Sequence, residues 1–411
     1  MLNSTPASKE GYKKFDNNKA RQTLQMATQP YRVVDLFSGV GGLSLGFEQP
    51  DRLTGLANLG YADFGVKRKR FKTIFAVEKQ KYAAEGFKNN FKSADVRQQD
   101  IQDIRDFSPW AGAEVIIGGP PCQGFSKLNS TKTQNLSDKR NSLWREFMRA
   151  VRDIDPTVFV VENVPRFLST PESSNLSDEA NRLGYDVVAG KLDAHHYGVP
   201  QKRTRAFVVG SKLGVPFLPG RPPGPVRTVR DAIGDLPREP TGKNYHVGRN
   251  VTDRTRQRME AVPPGGNRLD IPEEHLPECW KDYPDNYGTD LYGRLWWDEP
   301  SVTVRADFVK PEKGRYLHPE ANRSITMREG ARLQTFPDDF QFGSTYKKHV
   351  TSQVGNAVPP KLAYHIGVAV HRHLEGMEVN DPVKSDQEAL RPAPLVDWEA
   401  LNPAPRAASG D

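Results

Sequence analysis

The chain has 411 residues, 36% of them hydrophobic and 27% charged, a composition typical of a globular protein large enough for two or three domains. No apolar run approaches the roughly 18 residues of a membrane span, and the first twenty residues lack the apolar core of a signal peptide. Two cysteines are too few for a disulfide framework or a zinc cluster. These features argue against membrane and disulfide-rich secreted proteins and favour a reducing cytoplasm.

The net charge of +7 is unevenly distributed along the chain. Residues 376–411 hold seven acidic and three basic side chains in a sequence rich in Pro and Ala, which predicts a disordered tail. The preceding 375 residues therefore carry +11, and this balance favours a polyanionic partner. Residues 1–30 form an N-terminal extension to which the sequence assigns no role.

Short apolar runs alternate with amphipathic runs over the first half of the chain. The predicted strands, in chain order, are YRVVDLF, FKTIFAVEK, a short strand before Asp100, AEVIIGG, TVFVVENV and RAFVVGS. Helices are predicted in GVGGLSLGFE and KYAAEGFKNNF. This alternation predicts an α/β fold with a doubly wound parallel sheet.

The alternation ends near Gly210. Residues 211–297 are rich in Pro, Gly and Arg with few clear elements, and helices return in SITMREGARLQTF and PPKLAYHIGVAVHRHL. We therefore expect a catalytic domain formed by residues 31–210 and 298–375, interrupted by a smaller, irregular domain at 211–297.

Residues at the predicted strand ends suggest an adenosine-containing ligand. Gly39, Gly41 and Gly42 precede the first helix, where glycines let backbone amides approach a ligand, although alone they fit a tight turn equally well. Glu78 ends the second strand, where a carboxylate can accept hydrogen bonds from both ribose hydroxyls, and Asp100 follows the third, within reach of an adenine amine. Singly each acid is typical of a protein surface; on successive strand ends the two outline an adenosine site.

Cys122 follows a Pro-Pro turn in GGPPCQGFS, at the end of another predicted strand. A free cysteine is usually a small buried hydrophobe. Here Pro120 and Pro121 stiffen the chain before the thiol and Gly124 leaves it open afterwards, an arrangement that suits a presented nucleophile. Cys279 has no such neighbours and is expected to be structural.

Six segments, in order, resemble the motifs of the DNA (cytosine-5)-methyltransferases: DLFSGVGGLSLGFE, GGPPCQGFS, VVENV, QKRTRAFVVG, RSITMREGARLQTFPDDF and QVGNAVPP. The resemblance covers residues 31–210 and 291–375, and residues 211–297 fall where that family has its target recognition domain. It implies a methyltransferase fold that uses S-adenosylmethionine, releases S-adenosylhomocysteine and needs no metal. It also implies double-stranded DNA as partner, a monomer, and a bacterial restriction-modification system whose endonuclease acts separately.

The resemblance implies a cofactor pocket built from several motifs. Glu78 would hold the ribose, and Asp100 with Ile101 would meet the adenine. The methionine side would be lined by Phe37, Gly39, Gly41, Gly42 and Leu43, and the pocket completed by Pro120, Leu143, Asn356 and Val358. Because the last two residues come from the far end of the chain, the terminal helix must fold back beside the first strand.

The resemblance implies that Cys122 adds to C6 of a flipped-out cytosine. Glu162 would protonate N3 and Arg205 would hold O2, with Asn163 and Arg203 as supports. Singly, Glu162 also fits a capping acid and Arg205 a surface charge. Three chemically matched groups at or just beyond strand ends favour the catalytic interpretation.

Several basic segments are candidates for DNA contact. The loop at 126–141 would close over DNA, or is simply solvated; the run at 67–70, in an insertion at 50–73, is more typical of a solvated surface than of a phosphate contact. Residues 227–258 hold eight basic and four acidic side chains, and arginines there could read guanine edges.

Two alternatives remain open from the sequence. The first is an RNA methyltransferase of the same superfamily, whose Cys-Phe-Thr signature is not found in this chain. The second is a non-catalytic DNA-binding regulator on the same scaffold, which would be expected to have lost Cys122 or Glu162.

Overall fold

The computed structural model of the protein describes residues 29–53, 70–121, 143–284 and 286–377. Within these ranges one seven-stranded sheet forms the centre of the molecule, and helices cover it, which confirms the predicted α/β class. The strand order is β3-β2-β1-β4-β5-β7-β6. The strands are β1 (Tyr31–Leu36), β2 (Phe71–Glu78), β3 (Asp95–Gln98), β4 (Val115–Gly118), β5 (Val158–Asn163), β6 (Asp186–Asp193) and β7 (Thr204–Ser211).

The last two strands differ from the predicted parallel sheet. β7 runs antiparallel to both β5 and β6, and β6 was not predicted at all. The link between β6 and β7 contains only a short 3-10 turn at Ala194–Tyr197, whereas parallel neighbours require a crossover of a dozen or more residues. Because β6 is an edge strand interrupted by Gly190 and Lys191, its sequence lacks a continuous apolar run.

Helices pack on both faces of the sheet. They are α1 (Gly42–Glu48), α2 (Lys81–Asn90), α3 (Leu143–Ile154), α4 (Pro171–Arg182), α5 (Val229–Ile233), α6 (Asp253–Ala261), α7 (Glu278–Lys281), α8 (Met327–Leu333), α9 (Lys347–Asn356) and α10 (Pro360–Leu374). α3 and α4 bury their apolar sides against one face, and α1 and α10 against the other. Within the described ranges, no helix is both long and apolar enough to cross a membrane.

The first strand and the last helix meet at one side of the domain. The Tyr31 hydroxyl donates a 2.8 Å hydrogen bond to Glu375, the residue that follows α10. Val33 and Phe71 belong to the same apolar cluster as Ile366 and Val370 of α10. The beginning and the end of the described part of the chain are therefore in direct contact.

The irregular segment at 211–297 contains α5, α6 and α7 joined by loops and 3-10 turns. α5 packs into the cluster that also contains α8 and α9, while Met259 of α6 packs with Tyr292 and Leu317 in a small separate cluster. The backbone amides of Val229 and Arg230 donate to the carbonyls of Glu299 and Trp297 at 2.9 Å. The start and the end of the irregular segment therefore lie side by side. The domain limits derived from the sequence stay a prediction.

Candidate functional site

The candidate site lies along the edge of the sheet where β1, β2, β4 and β5 end. In register, Leu36 lies beside Val77 and Gly118, and Gly118 lies beside Val161. The residues that follow these positions therefore converge at one edge, the usual ligand position in an open α/β sheet. They include Phe37, Glu78, Gly119 and Glu162, and the antiparallel β7 brings Arg205 to the same edge.

The glycine turn after β1 is tied to Glu78. The Gly39 amide donates to Glu78 Oε2 at 2.9 Å and the Gln80 amide to Oε1 at 2.6 Å. Gly39 and Gly41 adopt φ of 55° and 95°, in the left-handed region that favours glycine, and Phe37 adopts φ of 55° despite its side chain. Burial raises the pKa of Glu78, while these backbone hydrogen bonds act in the opposite direction.

The terminal helix folds back beside α1, as the resemblance implies. A Cβ atom on Gly42 would stand 2.4 Å from the Val358 carbonyl oxygen, and one on Gly46 would stand 2.3 Å from that of Pro360. Only glycine permits this close approach of the two backbones. Leu43 and Val358 are buried at this contact, and Asn356 is exposed at the end of α9, with its amide donating to Ser352 Oγ at 3.2 Å.

Asp100 lies at the same edge of the sheet, and both of its carboxylate oxygens already have partners within the protein. Lys79 Nζ is 2.7 Å from Asp100 Oδ2, and the Gln102 amide donates to Oδ1 at 3.1 Å. The hydrogen bond from Lys79 lowers the pKa of Asp100. Ile101 is buried and its carbonyl accepts a bond from Arg149. Of the other predicted pocket residues, Pro120 is buried and Leu143 is half-buried at the start of α3.

Glu162 and Arg205 form a largely buried ion pair. Arg205 Nε is 3.1 Å from Glu162 Oε1, and the two side chains are 16% and 14% exposed, respectively. Burial raises the pKa of Glu162, opposed by the charges of Arg205 and Arg203, and burial also lowers the pKa of Arg205. The site can therefore present a neutral carboxylic acid, a proton donor, beside a cation. A Cβ atom on Gly119 would stand 3.0 Å from Glu162 Oε2, so the acid lies over the turn that leads to Cys122.

The two predicted supports act on backbone. Asn163 Nδ2 donates to the Pro120 carbonyl at 3.0 Å and so fixes the Pro-Pro turn. Arg203, 2% exposed, donates to the carbonyls of Val304, Gly355 and Ala357. Arg203 is thus turned towards the loop after α9.

Some predicted features lie outside the described residues. These are Cys122, the loop at 126–141, residues 67–69 of the basic run, residues 1–28 of the N-terminal extension, and most of the tail. Cys279 is a free, exposed thiol on α7. Its expected structural role stays a prediction.

Asp35 is a buried acid that the sequence analysis did not single out. It has no exposed surface, and Ser44 Oγ donates to its Oδ2 at 2.6 Å. Burial raises the pKa of Asp35 to about 7, with Ser44 acting in the opposite direction. Its signal in the sequence is an aspartate inside the apolar run YRVVDLF.

Few arginines of the stretch at 227–258 are free to read bases. Arg230 binds Asp298 through two nitrogens, Arg249 lies 3.3 Å from Glu312, and Arg258 donates to the His275 carbonyl. Arg254 and Arg256 on α6 are exposed and bind no other side chain within the described part of the protein.

Among the described residues, no group of three or more His, Cys, Asp or Glu side chains could hold a metal ion.

Residues 31–372 match the family model described as C-5 cytosine-specific DNA methylase. The chain is 36% identical over 350 residues to the type II methyltransferase M1.HphI of Haemophilus parahaemolyticus, covering 82% of this chain and 86% of that protein. It is 33% identical over 366 residues to the type II methylase M.HgiDII of Herpetosiphon aurantiacus, covering 86% and 98%. Its fold resembles that of a solved E. coli prophage protein assigned as a DNA modification methyltransferase, with a TM-score of 0.60, 26% identity, and coverage of 83% and 99%.

Proposed function

The chain belongs to the family of C-5 cytosine-specific DNA methylases, and we propose that it methylates a flipped-out cytosine of double-stranded DNA through a covalent intermediate, with S-adenosylmethionine as methyl donor. The observation that carries this proposal is the Glu162–Arg205 pair above the turn that leads to Cys122. A proton donor and a cation held together suit a pyrimidine ring that gains negative charge during reaction.

In the proposed reaction, each catalytic residue has a separate role. The Cys122 thiolate forms a bond to C6, and the displaced electron pair moves into the ring. Glu162 donates a proton to N3 while Arg205 hydrogen-bonds O2, which leaves an enamine with a nucleophilic C5. After methylation at C5, a base removes the C5 proton, the C6–sulfur bond breaks to release the thiolate, and N3 returns its proton to Glu162. S-adenosylmethionine supplies the electrophilic methyl group of its sulfonium and leaves as S-adenosylhomocysteine.

The edge at Glu78 suits the proposed cofactor. The carboxylate is oriented by two backbone amides. Apart from Gly39 and its two neighbours in the chain, no atom of the described protein lies within 4 Å of a Cβ placed on Gly39. That open space beside a left-handed glycine leaves room for a ligand against the backbone. Asp100 could receive the adenine amine if it shares or exchanges its bond with Lys79.

The relatives' names support a biological context. Both curated relatives are type II methyltransferases of bacteria, so we infer that this enzyme is the modification arm of a restriction-modification system. It would act as a monomer in the cytoplasm, with a separate endonuclease that cleaves the same unmethylated site. We assign target recognition to residues 211–297.

The test has two steps. Sequencing of cytosine methylation in cells that express the chain would identify the methylated site. A duplex with 5-fluorocytosine at that position, incubated with enzyme and S-adenosylmethionine, should then form a complex that survives denaturing electrophoresis, because fluorine blocks loss of the C5 substituent. Peptide mapping should locate the adduct on Cys122, and Cys122→Ser should form none. An adduct on Cys279, normal turnover by Cys122→Ser, or methylation of RNA alone would contradict the proposal.

A further inference from the structure

The C-terminal end of α9 carries the cofactor-pocket residue Asn356 and is capped by side chains from other parts of the chain. Arg203 Nη2 donates to the carbonyls of Gly355 and Ala357 at 2.9 and 3.0 Å, and its Nη1 donates to Val304 at 3.2 Å. The last carbonyls of a helix have no partner within the helix and carry its negative dipole end. A buried guanidinium is therefore a favourable cap for this end.

A second buried side chain supports the same turn. Gln334 Nε2 donates to the Val354 carbonyl at 2.6 Å and to that of Ala357 at 3.3 Å. Gln201 Nε2 in turn donates to Gln334 Oε1 at 2.9 Å, and the Val304 amide donates to Gln201 Oε1 at 2.9 Å. Both glutamines have no exposed surface, so a ligand at the edge of the sheet would not contact them.

This network links the two halves of the proposed site. Arg203 directly precedes β7, and Arg205, two residues later, forms the pair with Glu162. Residues 354–358 carry Asn356 and Val358 of the proposed cofactor pocket. The segment that holds the catalytic cation and the segment that closes the cofactor pocket are therefore joined by buried hydrogen bonds.

We propose that Arg203 and Gln334 are positioning residues for the cofactor pocket: they fix residues 354–358 so that cofactor affinity depends on side chains that do not touch the cofactor. This inference depends on the proposed cofactor site. Arg203, which the resemblance gives as a support of the catalytic groups, is thereby assigned to the turn after α9 on the cofactor side. Loss of either side chain removes hydrogen bonds from carbonyls of this turn and loosens it, although the Ala357 carbonyl keeps the donor from the other side chain.

Isothermal titration of S-adenosylmethionine without DNA tests the proposal. Gln334→Met keeps the length of the side chain but removes both donors, and it should weaken binding by about tenfold, the effect of one ordinary buried hydrogen bond. Arg203→Met should weaken binding further. Arg203→Lys should lie between wild type and Arg203→Met, because one ammonium cannot span all three carbonyls. In turnover with DNA, Gln334→Met should raise KM for the cofactor and change kcat less than about twofold.

Arg294→Met is the matched control for a general loss of stability. Arg294 is 3% exposed and donates to the carbonyls of Met259 and Val262 in the irregular segment and of His318 and Ala321 beyond it. This variant should lower the urea midpoint of unfolding without changing cofactor affinity. A folded Gln334→Met enzyme with wild-type affinity, or equal losses of affinity in Gln334→Met and Arg294→Met, would overturn the inference. Absence of binding by the wild-type protein would instead contradict the proposed cofactor.

Discussion

Arg205 Nε lies 3.1 Å from Glu162 Oε1 across two antiparallel strands, although 42 residues lie between the two in the sequence. In register, Glu162 lies opposite Phe207, so Arg205 reaches the carboxylate diagonally from the start of β7. Burial favours the neutral form of the acid and disfavours the charge of the cation. The pair therefore combines an available proton with a fixed hydrogen-bond donor.

We expect Glu162→Gln to lower the rate of methylation by about two to four orders of magnitude, because general acid catalysis at N3 is lost while Cys122 remains. The raised pKa of Glu162 means that its acid form persists to higher pH than in an ordinary glutamate. Wild-type kcat/KM should fall as pH rises through this pKa, and the Gln variant should lack that decrease. Single-turnover pH–rate profiles of both proteins measure this, and superimposable profiles would exclude Glu162 as the acid.

Glu78→Ala should weaken S-adenosylmethionine binding by about tenfold to a hundredfold, because the variant loses charge-assisted hydrogen bonds to the ribose. The substitution also releases the amides of Gly39 and Gln80, which the carboxylate now holds. Titration calorimetry without DNA measures the affinity. Undiminished binding in this variant would remove the ribose assignment.

Asp35→Asn should change the pH dependence of stability. The pKa of Asp35 in the folded protein, about 7, exceeds its ordinary value of 3.8, so between these values the folded state binds the proton more tightly. The stability from this acid is complete below pH 4 and is lost as pH rises to 7. From pH 4 to pH 8, the unfolding free energy of Asp35→Asn should therefore rise relative to wild type by on the order of 4 kcal/mol. Parallel urea titrations test this, and a constant difference would show that Asp35 is ionised throughout.

Exchange of residues 234–296, which begins after α5, for the corresponding segment of a relative with another target should transfer the methylated sequence. The junctions are suitable because the amides of Val229 and Arg230 bind the carbonyls of Glu299 and Trp297 just outside the exchanged part. Bisulfite sequencing of DNA from expressing cells reports the outcome. An active hybrid that still methylates the original site would place recognition elsewhere in the chain.

The position of the site could be predicted from the sequence because it depends on strand ends. An acid or a glycine turn directly after an apolar run lies at the carboxyl edge of a parallel sheet, wherever the rest of the chain goes. Phe37, Glu78 and Glu162 lie at that edge as expected. The antiparallel direction of β7 was not predictable from its own residues, because an apolar strand has the same composition in either direction.

The contacts that hold the site could not be predicted. Arg203 binds carbonyls at 304, 355 and 357, and Gln201 binds Gln334, across separations of more than 100 residues. Every residue has a backbone carbonyl. A side chain that donates to a carbonyl therefore needs no particular residue type as its partner, and the sequence does not show where that partner lies. Composition likewise cannot separate an arginine that is paired with an acid of the same protein, such as Arg230, from an exposed arginine without such a partner among the described residues, such as Arg256.

The hydrogen bond between Tyr31 and Glu375 has a consequence for chain topology. Because the first strand and the end of the last helix touch, a short peptide linker could join them, and new termini could be opened in a loop between α6 and α7. Such a circularly permuted enzyme would place α7, α8, α9 and α10 ahead of β1 in the sequence while preserving every contact of the sheet edge. The order of the six motifs along the chain would then reflect where the polypeptide is cut, since the fold requires only that they meet at one edge.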